Sequence, residues 1–385
     1  MLKNFTVNEQ VGPVADRQGL VYIVISDQNA DIFILQPRYY RLDILNGYRI
    51  NTCKRLVEQD KLGVYRQRPR NFSPSSLPAA ERVSVVFAHM VQRPRERLGV
   101  ALVMRGAMGS GKTKVGEVFG SLCPRHYFLV DDPRYVVGQF NAHMASCLLL
   151  QADEAVWAGD KAAEGRLKGL ITSTIQQIEA KGIDPIRLTN YVRLIMTSNE
   201  DWVVPAGKDE RRFCVLDVDP RCAQQHDYFR EMDEELNNGG REALLADLLA
   251  FDLDSVNLRK IPRTGALLEQ KIRSFDSVEM WWFEVLMRGA VTRDGEAWPS
   301  SVQKSQLVDD YIASAERIGI KRKAAETELG MKLAKLVPGL RSDRVTIYDD
   351  VGIARRRHCF ILPPLEECRE AYAEALQQPV DWPEP

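Results

Sequence analysis

The stretch VMRGAMGSGKTKVG, Val103 to Gly116, carries the spacing G-x-x-x-x-G-K-T from Gly106 to Thr113. An apolar run, LGVALVM, precedes it and a helical pattern, KVGEVFGSL, follows. A strand, a glycine-rich turn and a helix in that order are what a phosphate-cradling loop requires. Its glycines let backbone N–H groups point at phosphate oxygens, and the helix N-terminus adds a dipole that favours anions. The expected binding set is Gly106, Gly109, Ser110, Gly111, Lys112 and Thr113, with Lys112 reaching the β- and γ-phosphates and Thr113 a ligand of Mg²⁺. ATP and Mg²⁺ are the cofactors this implies. The loop alone does not say which machine uses it.

Three further features narrow the reading. Asp153 and Glu154 end the apolar run SCLLLQADE, which reads as a buried parallel strand. An acid at the tip of a strand beside the loop can hold Mg²⁺, and its neighbour can polarise the attacking water. Asn199 ends a second such run, YVRLIMTSN, where it would sit beside the γ-phosphate and orient that water. Arg211 and Arg212, in GKDERRFCVLDV, enter another strand from a polar loop. A planar guanidinium suits charge spreading over a γ-phosphate, and either arginine could reach it across a subunit boundary.

Around this core the chain divides into three parts. Residues 1–75 read as a small β-rich domain, with GLVYIVIS, ADIFILQ and YYRLDIL as strands, closed by the Pro-rich YRQRPRNFSPSSLP. Residues 78–255 read as the α/β ATPase core, a parallel sheet flanked by helices. It opens on the helical PAAERVSVVFAHMVQ and closes on REALLADLLAFDL. Residues 265–375 read as helices (VEMWWFEVLMRG, QKSQLVDDYIASAERIG, ETELGMKLAKLV), then DRVTIYDDVGIARRRHCFILP as strand–turn–strand and LEECREAYAEALQ as a last helix, a winged-helix-like order. Residues 376–385 form a tail.

Composition sets the outer bounds. The 52 Lys and Arg against 53 Asp and Glu leave a net charge of −1, so any nucleic-acid surface must be local. The seven cysteines form no C-x-x-C pair, which points to reduced core thiols rather than a disulfide or zinc framework. The five histidines lack ligand spacing, so no metal beyond nucleotide-bound Mg²⁺ is expected. MLKNFTVNEQVGP has no apolar centre and the chain no membrane-length apolar run. The expectation is a bacterial host cytoplasm and no membrane. Trp281 and Trp282 fall at helical spacing with other apolar residues, as core residues do. Arg355–His358 (RRRH) on the expected wing and Lys321–Lys323 (KRK) suit phosphate contacts or a merely solvated face.

Loop, acid pair and Asn within a compact core is the order found in superfamily 3 helicases, the AAA+-like ring ATPases of viruses, phages and plasmids. GDKAAEGRLKGLIT followed by IEAKGIDPIRLTNYVRLIMTSN resembles the extra motif of that superfamily. VGQFNAHMASCLLLQADEAVWAGD and TSNEDWVVPAGKDERRF resemble the phage and plasmid primase–helicase family more closely still. The resemblance implies a homohexameric DNA helicase in replication of a phage or mobile element, translocating on single-stranded or forked DNA. It implies that Lys168 serves the nucleotide pocket, that an arginine finger lies at Arg211 or Arg212, and that a hairpin around EAKGID enters the channel. Lys181 and Arg187 would there touch the DNA backbone. Only some 75 residues precede the core, without the acids of two-metal nucleotidyl transfer, so any primase or replication initiator is expected as a separate partner. Two other functions use the same motifs: an ATP-driven packaging or remodelling translocase, and an ATP-assembled, non-unwinding initiator or interference ring.

Overall fold

The computed structural model describes residues 79–154, 161–257, 259–293, 295, 297–319, 323–348 and 354–383, together with Ile23–Ile25 and Ile32–Ile34. Those two short segments, β1 and β2, pair antiparallel. The rest of the β-rich domain expected over residues 1–75 lies outside the described residues, as does the Pro-rich linker.

The described chain forms two units, one of residues up to Val204 plus Arg211–Ala266, the other of Pro205–Glu210 plus Leu267–Pro385. In the first, the order after β2 is α1 (Ala79–Gln92), β3 (Ala101–Arg105), α2 (Lys112–Gly120), β4 (Tyr127–Val130), α3 (Arg134–Val137), β5 (Leu149–Asp153), α4 (Lys161–Thr172), β6 (Ile175–Ala180), β7 (Ile183–Thr189), β8 (Arg193–Ser198), β9 (Phe213–Asp217), α5 (His226–Glu235) and α6 (Arg241–Ala250). Five strands make one sheet in the order β4-β5-β8-β3-β9. Every pair in it is parallel. β3 and β8 are buried along their whole length, which is why Ala101–Met104 and Leu194–Met196 within them are continuous apolar runs rather than alternating ones. Phe87 of α1 stacks on Phe119 of α2 within the core that also takes Met90, Leu102, Ile195 and Leu216.

The sheet aligns the C-terminal ends of the strands. Asp153 pairs in register with Thr197, Arg105 with Ser198 on one side and with Asp217 on the other. In a parallel sheet the crevice outside those ends is where ligands bind. The expected closing helix REALLADLLAFDL stops at Ala250, because Phe251 is extended. Gln92 at the end of α1 donates 2.7 Å bonds to the carbonyls of Leu248 and Phe251, taking over acceptors that a helix end leaves unpaired.

The second unit contains α7 (Gly265–Arg273) from Leu267 onward, α8 (Ser277–Arg288), β10 (Ser301–Gln303), α9 (Lys304–Arg317), α10 (Glu326–Leu336), β11 (Arg341–Tyr348), β12 (Ala354–Ile361) and α11 (Leu365–Leu376). β10, β12 and β11 form an antiparallel sheet in that order. The expected helices, hairpin and final helix are therefore all present, with a third strand, β10, directly ahead of α9. An Asp276–Glu279 capping box starts α8 and left-handed Gly289 ends it. Trp281 and Trp282 are fully buried in this unit's core, as their spacing predicts. Among the described residues, no helix is long and apolar enough to cross a membrane.

His89, buried on α1, has its pKa lowered to about 4, first by burial and then by Arg193 and Arg93. Its folded value lies below the ordinary 6.5, so the stability it contributes is present above pH 6.5 and is lost as pH falls towards 4. Wild type should lose about 3 kcal/mol more than His89→Leu across that window, read from urea unfolding at each pH.

Candidate functional site

β3 ends at Arg105 and the chain turns at Gly106, whose φ is +151°. A Cβ there would lie 2.7 Å from the Val218 carbonyl oxygen, so the turn beside β9 admits only glycine. The turn returns through Gly111 to start α2 at Lys112. The ammonium of Lys112 is buried. It donates to the carbonyls of Gly106 (2.9 Å) and Ala107 (2.7 Å), to Ser110 Oγ (3.3 Å) and to Asn199 Oδ1 (2.9 Å). Burial lowers its pKa, while the charges of Asp153 and Glu154 act in the opposite direction.

The acid pair meets the loop from β5. Asp153 lies 3.1 Å from Thr113 Oγ1 through either carboxylate oxygen, and it also accepts the hydroxyl of Thr197. Thr197 is fully buried on β8, one strand over. Glu154 adopts φ +52°, an uncommon conformation for a residue with a Cβ, and its N–H is tied to the Thr197 carbonyl at 2.8 Å. Its carboxylate accepts the Asn199 amide N–H at 3.0 Å. Asn199 thus spans the site, with its oxygen on Lys112 and its nitrogen on Glu154. The two bonds demand opposite polarities, which fixes the orientation of the amide.

These groups line one cleft of about 370 Å³, bounded by Met108 to Lys114, Glu117, Asp153, Glu154, Ser198, Asn199 and Phe229. The structure therefore gathers Gly109, Ser110, Gly111, Lys112, Thr113, Asp153, Glu154 and Asn199, with Gly106 at the turn beneath. Three other sets of expected residues lie outside the cleft lining. Lys168 pairs with Glu164 one helical turn away on α4. Arg211 is exposed and Arg212 half-buried at the start of β9. Lys181 and Arg187 are exposed on the β6–β7 hairpin, Lys181 at its turn beside Gly182. Among the described residues, no group of three or more His, Cys, Asp or Glu is placed to hold a metal ion. The carboxylate of Asp153 with the hydroxyl of Thr113 is an oxygen-only donor set, the chemistry that a hard cation such as Mg²⁺ prefers.

Sequence reasoning missed several supporting residues. Thr197 sits inside the TSN run that singled out Asn199, and its hydroxyl was the available signal. Gln151 is a fully buried polar residue in the middle of β5. It donates to the Thr113 carbonyl (3.1 Å) and accepts the Tyr127 hydroxyl (2.6 Å). Burial pushes the Tyr127 phenol up, which keeps it a donor. Arg105, also buried, holds Asp217 at 2.5 Å and the Asp201 carbonyl at 2.7 Å, bracing the segment just after Asn199. A lone polar residue in an apolar strand was the only hint for both.

Comparison with known proteins places these residues in context. Residues 104–212 match a family described as a family of unknown function, DUF5906. The match runs from within β3 through the acid pair and Asn199 to the two arginines. No curated protein matches the chain. Among solved structures, the apo structure of the NrS-1 C-terminal region (305–718) is similar in fold, with a TM-score of 0.58 at 14% identity over 81% of this chain and 76% of that one. The A form of the same region gives 0.58 at 15% identity, over 82% and 75%. At that identity the likeness is one of fold.

The Gln151 clamp makes a sharp prediction. A Cβ on Gly116 would fall 1.8 Å from Gln151 Oε1, whereas one on Gly165 of α4 meets nothing within 4 Å. Gly116→Ala should cost about 1–3 kcal/mol, and Gly165→Ala should stabilise by about 0.5–1 kcal/mol, both read from urea unfolding midpoints.

Proposed function

We propose that this chain is an ATP-hydrolysing DNA helicase of a phage or mobile element, built on a phosphate-loop core with a winged-helix-like second unit, and active as a homohexamer. The observation that carries the reading is the convergence of Lys112, Thr113, Asp153, Glu154 and Asn199 on one cleft at the C-terminal ends of β3, β5 and β8. The superfamily 3 resemblance supports the assignment to a DNA-translocating ring, and the exposed cations of the β6–β7 hairpin agree with it.

In this reading the Lys112 ammonium exchanges its carbonyl and amide acceptors for β- and γ-phosphate oxygens. Loop N–H groups from Gly109 to Thr113 bind the remaining oxygens. Bound Mg²⁺ would neutralise charge on the phosphates, and Thr113 and Asp153 are the residues that would hold it. Glu154 accepts a proton from a water held with the help of Asn199. That water attacks the γ-phosphorus, the bond to the bridging oxygen of ADP breaks, and the proton passes to the departing phosphate. Arg211 or Arg212 of a neighbouring protomer stabilises the charge that develops. Lys181 and Arg187 then carry one DNA strand through the channel, and Lys168 supports the nucleotide pocket.

Lys112→Ala should lower ATP turnover by about 10²–10³-fold and abolish unwinding of a forked duplex in the presence of Mg²⁺. Equal turnover by variant and wild type, with no unwinding by either, would sink the reading.

A further inference from the structure

β11 and β12 pair over eight positions, from Arg341 opposite Ile361 to Tyr348 opposite Ala354. The third strand, β10, covers only the first three of them, ending at Gln303 opposite Cys359. Beyond that point the sheet narrows to a two-stranded ribbon of five residue pairs, Arg344 opposite His358 to Tyr348 opposite Ala354. At about 3.4 Å per residue this ribbon extends roughly 17 Å beyond its three-stranded base.

The ribbon's composition changes at the same point. Residues 344–348 and 354–358 hold four arginines, one histidine and no acid. The register distributes them over both faces. Arg344, Arg356 and His358 share one face, on which Arg344 Nε donates to His358 Nε2 at 3.2 Å. Arg355 and Arg357 continue the other face, where Cys359 is buried at the base. All five basic side chains are exposed. Among the described residues, the guanidinium groups of Arg356 and Arg357 have no ion pair.

An acidic peptide or a flat anionic surface would meet one face of such a ribbon and leave the other in water. The major groove of a nucleic-acid duplex has phosphate backbones on both walls and is about 12 Å wide, enough to admit a two-stranded ribbon. We propose that the paired segments 344–348 and 354–358 form a second nucleic-acid site, separate from any channel hairpin, that enters a groove of duplex DNA and contacts phosphates on both sides through Arg344, Arg356 and Arg357. With arginines on both faces, the contacts run along the ribbon's flanks, and the site reads backbone charge and groove shape rather than base identity. The proposal stands apart from the chemistry of the ATP cleft.

The test is fluorescence anisotropy of the full chain with a labelled duplex of about 25 base pairs and with the matching single strand, without nucleotide, over a salt series. Replacing Arg344, Arg356 and Arg357 together by Ala should lower the slope of log affinity against log salt by about three for the duplex. Wild type should consequently lose about forty-fold more affinity than the variant between 50 and 200 mM salt. The matching triple Lys replacement should keep most of the slope, because it keeps the charge. ATP turnover by the Ala triple variant, measured in parallel without DNA, should match the wild type, so failure of the hydrolysis reading and failure of this one can be told apart. An Ala triple variant with wild-type slope, a Lys triple variant as weak as the Ala one, or wild-type preference for the single strand would each overturn the proposal.

Discussion

A single ammonium group organises the first unit. Lys112 is buried, and a buried cation must be surrounded by acceptors or it gives up its charge. The loop supplies two carbonyls and a hydroxyl, and the residue directly after β8 supplies the Asn199 amide. Three of those acceptors exist only because the chain reverses at Gly106, where the Val218 carbonyl leaves no room for a side chain. The fourth arrives because β8 lies beside β3 in the sheet. Strand order, loop shape and charge placement are one requirement seen at three scales.

The same logic extends outward from the cation. Asn199 passes the constraint to Glu154, which is held at a left-handed φ with its N–H on Thr197. Asp153 is fixed by hydroxyls from α2 and from β8, so its carboxylate cannot swing away from the cleft without losing both. Below them, the Tyr127–Gln151–Thr113 chain locks α2 to β5 and β4 through hydrogen bonds centred on the fully buried Gln151. A site whose groups are positioned by buried neighbours needs little rearrangement to act on a bound ligand.

How much of this the sequence showed follows from the physics of each element. β3, β5 and β8 were legible because parallel strands buried on both faces leave apolar runs, broken in β5 only at Gln151, and the residues ending them stood out as polar. β4 was not, since YFLV is a short edge strand with half-exposed positions. α5 escaped as well, being charged on most faces and apolar mainly at Phe229 and Met232. β10 carries no such signal, because three residues show no period, and only its last residue, Gln303, falls within the helix expected after it. That Lys112, Thr113, Asp153, Glu154 and Asn199 meet in one cleft could be expected from their positions alone. Gln151, Thr197 and Arg105 could not, because their roles depend on contacts between strands that are adjacent in space and far apart in sequence. Lys168, Arg211, Arg212, Lys181 and Arg187 lie outside the cleft lining.

The central claim is that Glu154 acts on water while Lys112 and the loop bind the nucleotide. Calorimetric titration of Glu154→Gln with ATP and Mg²⁺, paired with its steady-state turnover, separates the two tasks. The account predicts affinity within a few-fold of wild type and turnover lower by about 10²-fold or more. A variant that hydrolyses ATP at the wild-type rate, or a wild-type protein that binds no ATP at all, would contradict it.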